Sequence, residues 1–138
     1  MSIQVKSNFN PKRMAEELKE RQEKALARAM ETAAREIQKR TQSGQDAAGS
    51  PFKKYSDAYR KFKQKKGRTG NVDLTFTGDM LRAMSTTVER VASGLIGTIK
   101  FNSADAATKA KANMKRRKFF ELSREQIEKI TNAIRNAK

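Results

Sequence analysis

Asp73 and Asp79 are the nearest this sequence comes to a pair of catalytic carboxylates. A metal-dependent nuclease needs a tight cluster of acids around its cations, and these two stand alone. There is no histidine and no cysteine, so Ser-His and Cys-His arrangements, thiolate metal sites and histidine-bearing zinc sites cannot be built. Carboxylates, lysines and hydroxyls remain, with no constellation among them. The expectation is a protein that is not an enzyme and needs no cofactor or metal.

The chemistry left is that of charge. The 138 residues carry 31 Lys and Arg against 15 Asp and Glu, a net charge of +16. Such an excess points to an anionic partner: DNA, RNA, a membrane surface or an acidic protein face. It is unevenly spread. Residues 1–42 carry +4, residues 43–72 carry +6, residues 73–102 are neutral and residues 103–138 carry +6. The second segment holds Lys53, Lys54, Lys61, Lys63, Lys65, Lys66 and Arg68, and the fourth holds the run Lys115, Arg116, Arg117, Lys118. A run of that kind is most often a solvated loop.

Aromatic residues are interleaved with the first cluster. Phe52, Tyr55, Tyr59 and Phe62 could stack bases while the lysines hold phosphates. Tyr55, Tyr59 and Phe62 also sit at i, i+4 and i+7, an ordinary core stripe of a short helix capped by Ser56 and ended by Gly67. The favoured reading is that the aromatics dock this helix and the lysines face water. Gly67-Arg68-Thr69-Gly70 matches a GxxG phosphate clamp, but that clamp joins two helices. Here a strand-like NVDLTF follows, so it reads as a basic turn.

These residues need elements to position them. Only 36% of the chain is hydrophobic and 33% is charged, which suits one domain over 1–138 with a modest core. No apolar run is long enough to span a membrane and no secretory signal is visible; the lack of cysteine suits a reducing cytosol. Ile3 and Val5 alternate ahead of Phe9, as in a short strand or an amino-terminal arm. Asn10-Pro11 is a helix entry. From it Met14, Leu18, Ala25, Ala29, Ala33 and Ile37 form an alanine-rich stripe, flanked by Leu26 and Met30, which Gly44 ends. Residues 42–51 read as a loop. Thr77-Gly78-Asp79 opens a second helix, with Thr77 as cap, Asp79 in the first turn, and Met80, Leu81 and Met84 inward. Thr86–Val91 and Leu95–Phe101 alternate with period two about Ser93-Gly94, predicting a β-hairpin. Gly97 should admit a close neighbour on the face it shares with Leu95, Ile99 and Phe101. Residues 103–113 read as partly helical.

Ser123-Arg124-Glu125-Gln126 is a capping box, and Leu122 with Ile127 forms a hydrophobic staple. Ile127, Ile130 and Ile134 then make the inner stripe of a helix over 123–137. Phe119 and Phe120 lead into this element, so they read as architecture and not as a stacking platform. On an extended segment only one of them should face the core, which leaves the other for a subunit contact. The fold class expected is α+β: a long first helix and further helices packed on a small antiparallel sheet.

Three blocks of the sequence together resemble the tailed-bacteriophage virion-morphogenesis, tail-completion or neck proteins of the head–tail junction. The first is Gly44-x-Asp46-x-x-Gly49-x-x-Phe52-x-x-Tyr55-Ser56-x-x-Tyr59, with Lys63 and Gly67 after it. The second is Val72-Asp73-Leu74-Thr75-x-Thr77-Gly78-x-Met80-Leu81. The third is Arg117-x-Phe119-Phe120-x-Leu122-Ser123. They occur in the family's order and spacing over residues 44–123. Two places depart from its pattern: Lys109–Met114 stands where members often carry a histidine-glutamine-glycine element, and Glu121 stands for a common glycine.

The resemblance implies a structural virion protein without catalytic residues or cofactor, forming a ring, usually sixfold, between the connector and the tail. Its partners would be copies of itself and other connector and tail proteins, with non-specific contact to genomic DNA in the channel and none to a membrane. It would be found in the virion, and in the host cytoplasm during assembly. On that reading the arm and the hairpin edge join subunits, and the clusters at 53–68 and 115–118 line the channel or face acidic partners. The alternative is a stand-alone basic nucleic-acid-binding protein.

Overall fold

Leu95, Gly97, Ile99 and Phe101 all point to one side of a strand, and the fold is arranged around that side. The computed structural model describes residues 1–8, 15–68, 70 and 78–137. Its elements are β1 (Ser2–Asn8), α1 (Glu16–Gln42), α2 (Asp57–Lys65), α3 (Asp79–Arg82), β2 (Met84–Val91), β3 (Gly94–Phe101), α4 (Ala104–Met114) and α5 (Arg124–Arg135). The fold is α+β. The three strands form an antiparallel sheet in the order β1-β3-β2.

The hairpin forms in the register Met84↔Phe101 to Val91↔Gly94, so Ala92 and Ser93 make its two-residue turn. Gly94, expected within the turn, is the first residue of β3. There it lies opposite Asn8, and a Cβ would meet the Ser7 carbonyl oxygen at 1.7 Å. The amino-terminal segment is not a free arm. It pairs with β3 from Ser2↔Lys100 to Asn8↔Gly94, turning Ile3 and Val5 towards the core. Pairing satisfies one side of its backbone and buries the alternating apolar residues, and a detached arm would forgo both.

The long helix crosses the inner face of the sheet at Gly97. A Cβ there would meet Met30 Cγ at 2.9 Å and Leu26 Cγ at 3.2 Å. Leu26, Met30, Ala33, Ala34, Ile37 and Thr41 are the buried residues of α1. The stripe is therefore centred on Leu26 and Met30, with Ala25 and Ala29 at its margin. Full burial of a Leu, Ile or Met side chain stabilises by roughly 1.5–3 kcal/mol. Thr41 is buried at no polar cost because its hydroxyl donates to the Ile37 carbonyl at 2.6 Å. The entry expected at Asn10-Pro11, and Met14, lie outside the described residues; α1 begins at Glu16, after an extended Ala15 with no side-chain cap. Its end is as expected. Gly44 at φ 81 lets its amide reach the Thr41 carbonyl at 2.9 Å and lets the Gln45 amide reach that of Arg40 at 3.1 Å, which is a Schellman ending.

Ser103 caps α4 through the Ala106 amide at 3.0 Å, and Ala106 and Ala110 face the core. The expected helix after Gly78 is a single turn, with Met80 and Leu81 buried; Met84, also buried, already belongs to β2. Thr77, its expected cap, and the strand-like residues 71–76 lie outside the described residues.

The Ser123–Gln126 capping box is formed in both directions, at 3.1 and 2.8 Å. Two expectations nearby are corrected. Ile127 is 51% exposed, while Gln126 and Ile130 are the buried residues of α5. The helix is rolled so that Gln126 faces α1, where its Nε2 donates to the Ala33 carbonyl at 3.3 Å. Phe119 and Phe120 are both buried, 0% and 3% exposed. The Phe119 amide bonds back to the Arg117 carbonyl at 2.9 Å, a tight turn that breaks the alternation of an extended segment. Both rings then reach Phe101, at centroid distances of 6.5 and 4.8 Å.

Candidate interface: a groove between the two basic segments

The loop after α1 closes on itself. The Asp46 Oδ1 accepts from the Ala48 and Ser50 amides, both at 2.9 Å. The Gly49 amide donates to the Asp46 carbonyl at 3.0 Å, and Gly49 takes φ 82, a conformation that favours glycine. Gln45 and Pro51 form an isolated bridge. The Phe52 amide then returns to the Gly44 carbonyl at 2.9 Å, and the Phe52 ring enters the core.

The chain from Phe52 runs without regular structure to Ser56, which caps α2 by accepting from the Tyr59 amide at 3.2 Å. A second Schellman pair ends α2, from Gly67 to the Gln64 carbonyl and from Arg68 to that of Lys63, both at 3.0 Å. Gly67 of the GxxG sequence thus serves as a helix stop; Thr69 lies outside the described residues.

Arg117 brings the far segment here. Its Nε donates to the Lys53 carbonyl at 2.8 Å and its Nη2 to that of Lys54 at 3.3 Å. Its guanidinium carbon lies 4.7 Å from the Tyr55 ring centroid. Burial pushes the Arg117 guanidinium below its ordinary range, and the neighbouring Arg116 adds to this against Tyr55; a guanidinium still keeps its proton. Arg40 forms a comparable clamp. It donates to Gln126 Oε1 at 3.0 Å and to the carbonyls of Phe119 at 3.1 Å and Glu121 at 2.6 Å, and its pKa is also lowered by burial.

Between the 52–56 segment, α2, α3 and the end of α4 lies a groove of about 900 Å³. Lys53, Lys54, Arg116 and Arg117 line it together with Tyr55, Tyr59 and Phe62. Two stretches of basic sequence more than 60 residues apart are therefore adjacent. Lys61, Lys65, Lys66, Arg68, Lys115 and Lys118 are exposed but do not line it. Lys63 and Arg117 are corrections to the set of surface cations. Lys63 is fully buried, with its ammonium 5.1 Å from the Tyr55 centroid, and Arg117 is 7% exposed.

The aromatics reverse their expected role as well. Tyr59 and Phe62 are 38% and 48% exposed, and Lys63 is the buried residue of α2. Tyr55 precedes the helix, so the three rings never shared one helical face. Lys109 and Asn113 line the groove too. Their four-residue spacing with Arg117 was the available signal, since Lys109, Asn113 and Arg117 follow one another on one side of α4 and its exit.

Asp73 and Leu74 lie outside the described residues. Asp79 is exposed, at 2.6 Å from Arg82. Among the described residues no group of three His, Cys, Asp or Glu is placed to hold a metal ion, and no helix is long and apolar enough to cross a membrane. Comparison with protein-family models, with curated proteins and with solved structures gives no match.

Proposed function

We propose that this protein is a structural component of a tailed-phage or prophage virion, closing with copies of itself into a ring at the head–tail junction, sixfold in the usual case, to which the tail attaches and through which DNA passes. The observation that carries the reading is the bond set of Arg117, which ties the third block of the phage-like sequence to the first through the carbonyls of Lys53 and Lys54. Asp46, Gly49 and Phe52 close their loop, and Phe119 and Ser123 serve packing and capping. These residues of the first and third blocks hold the chain in shape, as motifs of a building block would.

The sheet supports assembly too. Within the described three-stranded sheet β1 and β2 are the edges, and edge strands offer backbone groups to a neighbour. The purified protein, imaged by negative stain, should show closed rings.

A second reading, a stand-alone nucleic-acid binder, draws on the aromatic and basic lining of the groove. It requires a monomer that binds DNA or RNA tightly, with affinity falling steeply as salt rises. Ring assembly requires only weak, sequence-blind binding.

A further inference from the structure

The groove combines cations with half-exposed aromatic rings, and its contents narrow the choice of occupant. Lys53, Lys54, Lys109 and Arg116 bring positive charge to it, and Tyr59 and Phe62 bring apolar surface. Its volume of about 900 Å³ lies within the range of sites that enclose a compact ligand or a short segment of chain. A DNA duplex presents its phosphates on a broad convex surface and makes no use of aromatic walls inside such a concavity.

A single strand would use ring faces for base stacking, and here cations already lie beside two of the rings. The Arg117 guanidinium and the Lys63 ammonium lie 4.7 and 5.1 Å from the Tyr55 centroid. Tyr59 meets Tyr55 in an edge-on pair at 4.7 Å, and the Lys66 ammonium lies 5.9 Å from the Phe62 centroid. Tyr59 and Phe62 are 38% and 48% exposed, surface against which an apolar side chain can pack.

We infer that this groove binds an extended acidic peptide segment of another protein, with carboxylates meeting Lys53, Lys54, Lys109 and Arg116 and one apolar side chain seated against Tyr59 and Phe62. Asp79, the carboxylate among the described lining residues, is paired with Arg82. Lys109 is in an exposed pair with Asp105 at 3.0 Å, which a ligand carboxylate can displace or join. A second copy of this chain is a poor donor. It carries 31 cations to 15 anions, and in the acidic stretch that opens α1 Arg90 already engages Glu16 and Glu23.

Fluorescence anisotropy on the full chain at roughly physiological salt tests this. The probes are a labelled octapeptide of six acidic residues and two phenylalanines, the same peptide with serine for phenylalanine, and an eight-nucleotide thymidine strand. The first peptide should bind at least about fivefold more tightly than the serine version. Lys54→Glu with Arg116→Glu should weaken it about tenfold or more, because like charges brought to a contact repel and slow association. Lys24→Glu with Arg35→Glu, exposed on α1, should change it less than about twofold. Phe62→Ser should act like the serine peptide, and the peptide-side change tests the same contact without touching the fold. Three results overturn the inference: tighter binding of the thymidine strand that the groove reversals abolish, equal losses from the groove and α1 reversals, or equal binding of both peptides.

Discussion

The Arg117 guanidinium lies 4.7 Å from the Tyr55 ring centroid while it donates to the backbone carbonyls on either side of the Lys53–Lys54 step. One side chain therefore fixes the ring, the 52–56 segment and the exit of α4. Arg117→Ala should destabilise the protein by about 2–3 kcal/mol, from two charge-assisted hydrogen bonds and a cation–π contact. Arg117→Lys keeps the charge but loses the planar fork, and should cost about 1–2 kcal/mol. Urea denaturation measures both, and wild-type midpoints for the two variants would refute the clamp.

Gly97 sets the approach of α1 to the sheet. Gly97→Val should cost about 1–3 kcal/mol by overpacking, since Met30 Cγ and Leu26 Cγ stand 2.9 and 3.2 Å from where even the first carbon would go. Gly94→Ala acts elsewhere, against the Ser7 carbonyl oxygen. Its expected signature is faster amide hydrogen exchange along β1, with α5 protection unchanged.

Asp46 separates the role of an oxygen from that of a charge. Oδ1 accepts from two amides, so Asp46→Ala should cost about 1–2 kcal/mol. Asp46→Asn retains an acceptor in the same place and should cost less than half as much. Thermal melts of the pair decide it.

Glu16 reports the tie between α1 and β2. Its hydrogen bond to Arg90 holds its carboxyl below the ordinary value of 4.5 against an opposing desolvation, with the charges of Arg90 and Lys19 assisting. A carboxyl depressed on folding adds stability at pH above its unfolded pKa and loses that contribution as pH falls through the folded value. Arg90→Ala should raise the Glu16 pKa towards 4.5, and added salt should do so in part, because the pair is exposed. Carboxyl-detected NMR titration reads the shift directly.

Several of these relationships were legible in the sequence, and the exceptions share a cause. A close neighbour at Gly97, the Gly44 stop, the hairpin and the Ser123 cap are local patterns with one economical solution each, and they are found in place. Phe120, Ile127 and Lys63 depend on a backbone turn and on polar contacts that periodicity does not carry. The Phe119 amide bonds back to Arg117 and turns both rings inward. Gln126 takes the buried face of α5 because Ala33 and Arg40 offer it partners, which leaves Ile127 outside. Lys63 is buried against Tyr55 while Tyr59 and Phe62 face the groove. Periodicity ranks apolar residues inward, and it has no means of seeing a tight turn or a polar side chain that finds partners in the interior. The groove was half visible as two basic segments; their adjacency required Arg117 to be read as a bond and not as a surface charge.

That distinction changes the experiment on the basic run. Lys115, Arg116 and Lys118 are exposed, so reversing these three to glutamate should leave the fold intact while blocking tail joining or DNA passage in a phage that depends on this gene. Wild-type infectivity of the triple variant would count against a role for the cluster in assembly. Arg117 is best left unchanged, because its loss confuses unfolding with lost function.

Native mass spectrometry of the purified chain tests the central claim most directly. Ring assembly predicts a discrete closed oligomer, six subunits in the usual case, whose mass holds as concentration rises and which negative stain shows as an annulus. A species that stays monomeric at every concentration, and instead binds DNA or RNA tightly with a steep salt dependence, would contradict it.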